Sequence, residues 1–312
     1  MVFQSLPNEF RKKIVEKAFG KRVALPEGED IRIQEAATIL EREFSVKARL
    51  GTAEFAEKNR STTLELMLKK AELRGKKLTE QQSSLASDSF YEAGAALERG
   101  EVDAVVGGAV QSTAHVIRAA LATVGLKAQV RTVTSGFLFA LKQPTLGGQQ
   151  ALLYADCAVL PSPTSEQLVD IALLASESFS KWTGLDPHVS FLSFSTAGSA
   201  EHEDVLKMRN AAIKFRELYP NILSEGEIQF DAAVVPDIAV RKNSETKLQG
   251  KANVFIFPDL NAGNICYKMT QRLAGAEAWG PILFGTAKPF SDLSRGASAL
   301  DIVHNVMLTL AL

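Results

Sequence analysis

The chain has 312 residues, 46% of them hydrophobic and 23% charged, and its 35 basic and 36 acidic side chains leave a formal charge of −1. So balanced a chain has no global attraction to nucleic acid or to an anionic membrane surface, and it is long enough for two domains. The two cysteines, Cys157 and Cys266, show no CxxC spacing, which excludes a zinc ribbon and a disulfide framework.

The N-terminal stretch MVFQSLPNEFRKKIVEKAFGKR is charged and amphipathic, unlike a signal peptide. No apolar run approaches the roughly 18 residues of a membrane span, so a cytoplasmic protein is expected. RVALP (22–26) reads as a buried strand and IRIQEAATILERE (31–43) as the helix after it. EVDAVVGGA (101–109) is a second strand, and STAHVIRAALATVG (112–125) a helix with a Ser/Thr start and a Gly stop. ALLYADCAVL (151–160) predicts a strand; TSEQLVDIALLASESFSKW (164–182) predicts a helix opened by a capping box of Thr164 and Gln167. HVSFLSFS (188–195), KANVFIFP (251–258) and WGPILFG (279–285) are further strands, and SALDIVHNVMLTLAL (298–312) is a closing helix. The Gly/Gln/Pro-rich KQPTLGGQQ (142–150) marks a seam or a surface hairpin.

Strand–helix alternation predicts an α/β protein with mostly parallel sheets and helices on both faces. Ligands of such sheets bind beyond the carboxyl ends of the strands, here the loops at 107–113, 195–199, 258–264 and 285–295. VVGGAVQST (105–113) runs from a strand through two glycines to a hydroxyl pair, Ser112 and Thr113, that opens a helix. Free N–H groups and partial positive charge there suit phosphate, and a tight capped turn is the plainer reading. Arg118 lies further along that helix, as a solvated charge or an anion binder. FSTAGSA (194–200) reads as a cap. FPDLNAGNICYK (257–268), with Asp259, Asn261 and Asn264 interrupting apolar sequence, is a shaped turn or a ligand loop. His115, His188, His202 and His304 show no metal-ligand spacing, and no serine-hydrolase GxSxG elbow occurs. Cys157, inside an apolar strand, reads as a small core residue rather than a nucleophile.

Several stretches together resemble the phosphate acetyltransferase/phosphate butyryltransferase family: ALPEGEDIRIQEAA (24–37), GGAVQSTAHVIRAAL (107–121), YADCAVLPSPTSEQLVDIALLASESF (154–179), LSFSTAGSA (192–200), GEIQFDAAVVPDIA (226–239), GKANVFIFPDLNAGNICYKMTQRLAGAEAWGPI (250–282) and DLSRGAS (292–298). The likeness covers nearly the whole chain and is closer to the acetyl-transferring branch. It implies two α/β domains of the isocitrate/isopropylmalate dehydrogenase type with the active site in the cleft between them. The first would comprise 1–128 with 285–312, the second 129–284. It also implies the reversible reaction of acetyl-CoA with phosphate to give acetyl phosphate and CoA. CoA and acetyl-CoA are then substrates, with no tightly bound cofactor, no metal, no nucleic acid, no membrane, and a homodimer formed through the second domain.

Residue by residue, the resemblance gives Ser294, Arg295, Asp301 and Arg118 the catalytic roles, Asp301 as base. The family's active-site arginine of the first domain falls on Arg118. A thiol with a pKa near about 8.5 needs a base or a field that favours its anion, and an aspartate near about 4 needs desolvation to serve. Arg295 can hold phosphate bidentately and stabilise an oxyanion; Ser294 can donate to the carbonyl oxygen or the thiol sulfur. Ser112, Thr113, Arg74, Asn264 and Lys268 are the candidate substrate-binding residues. The family's basic Arg-Lys-His-Lys-Gly stretch is replaced by KKAELRGKKLTE (69–80), where Arg74 takes the arginine's place only across a gap. The segment at 49–70 is shorter than usual, and ALKQPTL lacks the cysteine some members carry there. A butyryl- or propionyltransferase and a non-catalytic acetyl-CoA-sensing module are the alternatives to an acetyltransferase.

Overall fold

The computed structural model describes residues 3 and 6–312; the remaining N-terminal residues of the amphipathic stretch lie outside the described residues. Among the described residues ten strands run in chain order: β1 (Arg22–Leu25), β2 (Lys47–Leu50), β3 (Ala104–Gly107), β4 (Thr134–Ala140), β5 (Ala151–Ala155), β6 (His188–Leu192), β7 (Leu223–Ile228), β8 (Val254–Ile256), β9 (Glu277–Phe284) and β10 (Phe290–Asp292). The chain divides into two compact units. The first comprises Ile14–Val133 and Pro281–Leu312; the second comprises Phe3–Lys13 and Thr134–Gly280.

These limits differ from the expected 1–128 with 285–312 and 129–284 at both crossings and at the N-terminus. Val130 and Val133 are buried and belong to the first unit. Phe3 stands edge-on to Trp279, with ring centroids 5.3 Å apart, inside the second.

The first unit is built on a four-stranded sheet in the order β10-β3-β1-β2, parallel throughout. The helix Ile31–Phe44 follows β1 because Asp30 caps it, accepting from the Arg32 N–H. Its buried residues Ile33, Ala36, Ala37 and Leu40 recur at helical spacing and form one apolar stripe. The final helix, Ala299–Leu310, packs on that helix and on β3, and every residue from Ile302 to Leu310 is buried.

The second unit holds a six-stranded sheet in the order β7-β6-β8-β5-β4-β9. Pairs β5–β8, β6–β8 and β6–β7 are parallel, whereas β4–β5 is antiparallel. The stretch 142–150 is the connection of that antiparallel pair, a surface hairpin. Phe137, Phe139, Tyr154, Phe255 and Phe257 lie in its core. The expected capping box at Thr164 and Gln167 opens the helix Ser165–Thr183.

Candidate active site

The β3 turn differs from a phosphate loop. Glu27, just after β1, fills the place of the anion. Its carboxylate accepts the N–H groups of Gly108, Ala109, Val110 and Gln111 at 2.8, 2.8, 2.9 and 2.8 Å. The two glycines serve close packing. A Cβ on Gly107 would meet the Phe90 ring at 2.6 Å; one on Gly108, whose φ is +112°, would meet an Asp292 oxygen at 2.2 Å. A pocket of about 320 Å³ beside this turn counts Glu27, Glu29, Asp30 and Asp88 among its lining residues, Glu27 being held by the turn amides and Asp30 by Arg32.

Ser112 is the N-cap of the helix Thr113–Thr123, its hydroxyl accepting from the His115 N–H. Thr113 donates its hydroxyl to Asp292 Oδ2 at 2.5 Å. Asp292 ends β10 beside β3 in the sheet, and only 1% of it is exposed. Its other oxygen, Oδ1, has no hydrogen-bond partner among the described residues. Burial drives this carboxyl up to about 7, against the Thr113 hydrogen bond that lowers it. The sequence reading gave Asp292 no role. The one signal was an acid at the end of the short buried strand Phe290–Ser291–Asp292, directly before Leu293.

Ser294 and Arg295 follow on an exposed turn. The turn is fixed through its backbone. Leu293 N–H donates to Gly107 O at 2.9 Å, and Ala297 N–H to Ser294 O at 2.9 Å. Asp301 is three residues into the final helix and exposed. It forms a capping box with Ser298, accepting at Oδ2 from the Ser298 N–H at 2.9 Å and its hydroxyl at 2.7 Å. Of the two carboxylates near the turn, Asp292 is the desolvated one.

Arg118 and Arg74 share a pocket of about 420 Å³ in the first unit with Lys76 and Lys77. Its apolar lining comes from Met67, Leu78, Leu85 and Leu121, with Tyr91 beside them. Arg74 spends its guanidinium on carbonyls, donating to Lys70 O, Leu121 O and Ala122 O at 2.9, 2.6 and 3.2 Å. It therefore ties down the end of the Thr113–Thr123 helix. The exposed Arg118, Lys76 and Lys77 are the pocket's other cations.

Asn264 and Lys268 belong to the second unit, on the helix Leu260–Leu273. The stretch from Asp259 onward is therefore a capped helix; Asp259 accepts from the Ala262 N–H at 2.9 Å. Asn264 donates to Cys157 O at 3.1 Å. Lys268 is exposed, its Nζ 5.7 Å from the Tyr267 ring centre. In the same unit Asp156 closes the turn after β5, accepting from the Ser135 hydroxyl and the N–H groups of Ala158, Val159 and Leu160. Cys157 is fully buried, and burial pushes its thiol well above the ordinary range, which suits a core residue. In FSTAGSA only Ser195 and Thr196 are buried; the loop is held from beneath by Glu227, 3% exposed, which accepts from the Ser195 hydroxyl, the Gly198 N–H and Arg209. Among the described residues no group of three or more His, Cys, Asp or Glu could hold a metal ion, and no helix is long and apolar enough to cross a membrane.

A two-unit α/β chain with a cation-lined pocket and a hydroxyl–arginine turn next to a buried acid defines a protein suited to anionic substrates. The phosphate acetyl/butaryl transferase family model matches residues 9–310, so the chain belongs to that family. It is 37% identical to a phosphate acetyltransferase of Acetivibrio thermocellus over 321 residues, covering 96% of this chain and 97% of that protein. A phosphotransacetylase structure from Streptococcus pyogenes is similar with a TM-score of 0.87 and 32% identity, over 100% of this chain and 98% of that one. A 4-hydroxythreonine-4-phosphate dehydrogenase from Klebsiella pneumoniae shares the fold alone, with a TM-score of 0.50 at 11% identity over 94% of this chain and 100% of that one. The dehydrogenase-like α/β architecture expected from the resemblance is thus the one found.

Proposed function

We propose that this chain is an acyltransferase of the phosphate acetyltransferase type, exchanging an acetyl group between CoA and inorganic phosphate. The observation that carries the reading to a substrate is the pocket of Arg118, Arg74, Lys76 and Lys77 over Met67, Leu78, Leu85 and Leu121. Clustered cations beside an apolar wall suit a ligand that joins phosphates to a less polar body, as CoA does. Arg118, Lys76 and Lys77 hold the phosphates of CoA, while Arg74, bound to carbonyls, shapes the wall beside them. Ser294 and Arg295 then act on the acyl phosphate. The CoA sulfur attacks the acetyl carbonyl carbon, Arg295 stabilises the oxyanion, and the carbon–oxygen bond to phosphate breaks. The thiol proton passes to Asp301, the base implied by the resemblance. Orientation of the two substrates supplies much of the rate.

Acetyl is the preferred acyl group, on the strength of the likeness to acetyltransferases. A homodimer is supported by an apolar stripe on the helix Leu260–Leu273, where Ile265, Met269 and Leu273 are 58%, 53% and 79% exposed at four-residue spacing. Two free thiols accord with the reducing cytoplasm. The test is thioester formation from CoA with acetyl, propionyl and butyryl phosphate in parallel. Acetyl phosphate should be used best. Equal or better use of butyryl phosphate overturns the acyl preference, and no turnover of any of the three overturns the enzyme in favour of a CoA-sensing module.

A further inference from the structure

The Ser294–Arg295 turn carries no side-chain anchor of its own. Ser294 Oγ accepts only from the Gly296 N–H at 3.3 Å, and the Arg295 guanidinium makes no hydrogen bond or ion pair among the described residues. Its aim therefore depends on what holds its backbone, and a distant side chain does so. Arg32, at the start of the helix after β1, donates through Nη1 to Arg295 O at 2.9 Å and to Ala297 O at 3.0 Å. Through Nη2 it donates to Ala109 O at 3.0 Å. Asp30 holds the same guanidinium bidentately, at 3.0 Å from Nε and 2.7 Å from Nη2. The Arg32 side chain is 29% exposed and that of Asp30 14%.

The far end of this brace is rigid. Ala109 lies in the turn whose four successive N–H groups are held by Glu27. Arg32 thus joins a fixed turn to one whose two functional side chains are unanchored. Only a guanidinium spans this arrangement. Its planar fork serves three carbonyls and a carboxylate at once, whereas an ammonium has three donors on a flexible stem and no fixed plane.

We propose that Arg32, clamped by Asp30, is a positioning residue that aims Ser294 and Arg295 at the reacting acyl phosphate. The proposal rests on the reading that this turn acts on the acyl phosphate. Arg32 acts through the backbone carbonyls of the turn. A displacement of its turn by a fraction of an ångström still lowers the rate, because the transfer depends on geometry held tightly.

The test is a double-mutant cycle on the full chain with Arg32→Lys, Arg295→Ala and the pair, following kcat and KM for both substrates beside the thermal midpoint. Arg32→Lys should lower kcat by roughly 10-fold or more while KM for CoA stays within about threefold, since the CoA pocket is lined by other residues. In the Arg295→Ala background the same lysine should cost less than about threefold, because a brace has little left to aim. A kcat within twofold of the parent for Arg32→Lys, or losses that multiply in the double variant, overturns the proposal. If Arg295→Ala itself keeps full activity, the reading of the turn fails, and the brace with it; if Arg295→Ala is crippled while Arg32→Lys is normal, the brace alone fails. Should Arg32→Lys not fold, Asp30→Asn decides. It leaves Arg32 in place without its charged clamp, so kcat should fall at least threefold with the CoA KM kept, and an unchanged kcat overturns the proposal.

Discussion

Replacing Asp292 by asparagine tests whether a neutral group belongs at the end of β10. The carboxyl stands at about 7 in the folded chain against 3.8 for the ordinary side chain, chiefly through burial. The folded form therefore keeps a proton that the unfolded form has lost between those two values. Asp292 then favours the fold fully below about 4, and that contribution is lost as the pH rises toward 7. At about 1.36 kcal/mol per pH unit the whole difference is about 4 kcal/mol, of which about 3 kcal/mol falls between pH 5 and pH 8. Asparagine keeps the shape and never ionises, so it imitates the protonated acid. With an unfolding entropy of about 2.1 cal/mol/K per residue, the midpoint of Asp292→Asn should gain on the parent by about 4 °C between pH 5 and pH 8. Scanning calorimetry of both proteins at the two pH values measures this, and their difference cancels every other titrating group. A gap between variant and parent that is equal at pH 5 and pH 8 would refute the reasoning and show that Asp292 is ionised at its place in the fold.

Three further outcomes follow from the site. Arg295→Lys should weaken use of acetyl phosphate and phosphate more than use of CoA, because lysine keeps the charge but loses the fork; steady-state constants for both substrates decide it. Asp301→Asn should cut kcat by roughly 10²–10⁴ with CoA still binding, and the residual rate should climb with pH as free CoA ionises. A kcat kept within a few-fold would reduce Asp301 to the helix cap seen in its bonds to Ser298. Cys157→Ala should retain activity and cost only about 1–2 kcal/mol from the small cavity, read as a lowered thermal midpoint.

Among the strands legible in the sequence were apolar runs such as Val23–Leu25 of β1 and all of β5, which are buried on both faces, whereas β4, equally buried, begins with Thr134, Ser135 and Gly136 and was not read. β2 escaped because Lys47 and Leu50 are exposed and Ala48 and Arg49 half-buried, leaving no apolar pattern to read. β10 escaped because it is three residues long and ends in an acid. Helix ends announced themselves through local chemistry: Thr164 with Gln167 and Ser298 with Asp301 are capping boxes within three residues. The site was legible only where its roles are local. Glu27 binds a turn some 80 residues away, and Arg32 reaches carbonyls more than 260 residues on. Such pairings are created by the strand order β10-β3-β1, and neither periodicity nor spacing encodes them. For the same reason the glycine turn at 107–108 suggested phosphate, whereas the fold supplies a carboxylate of its own.

That internal carboxylate changes when the turn becomes ordered. A loop that waits for phosphate keeps its amides hydrated and mobile until the ligand arrives, and the entropy of freezing it weakens binding. In this chain Glu27 freezes residues 108–111 as the protein folds. The turn to which Arg32 ties the Ser294–Arg295 segment through Ala109 is therefore ordered before any substrate binds, and its four amide hydrogens are protected from solvent exchange in the free protein.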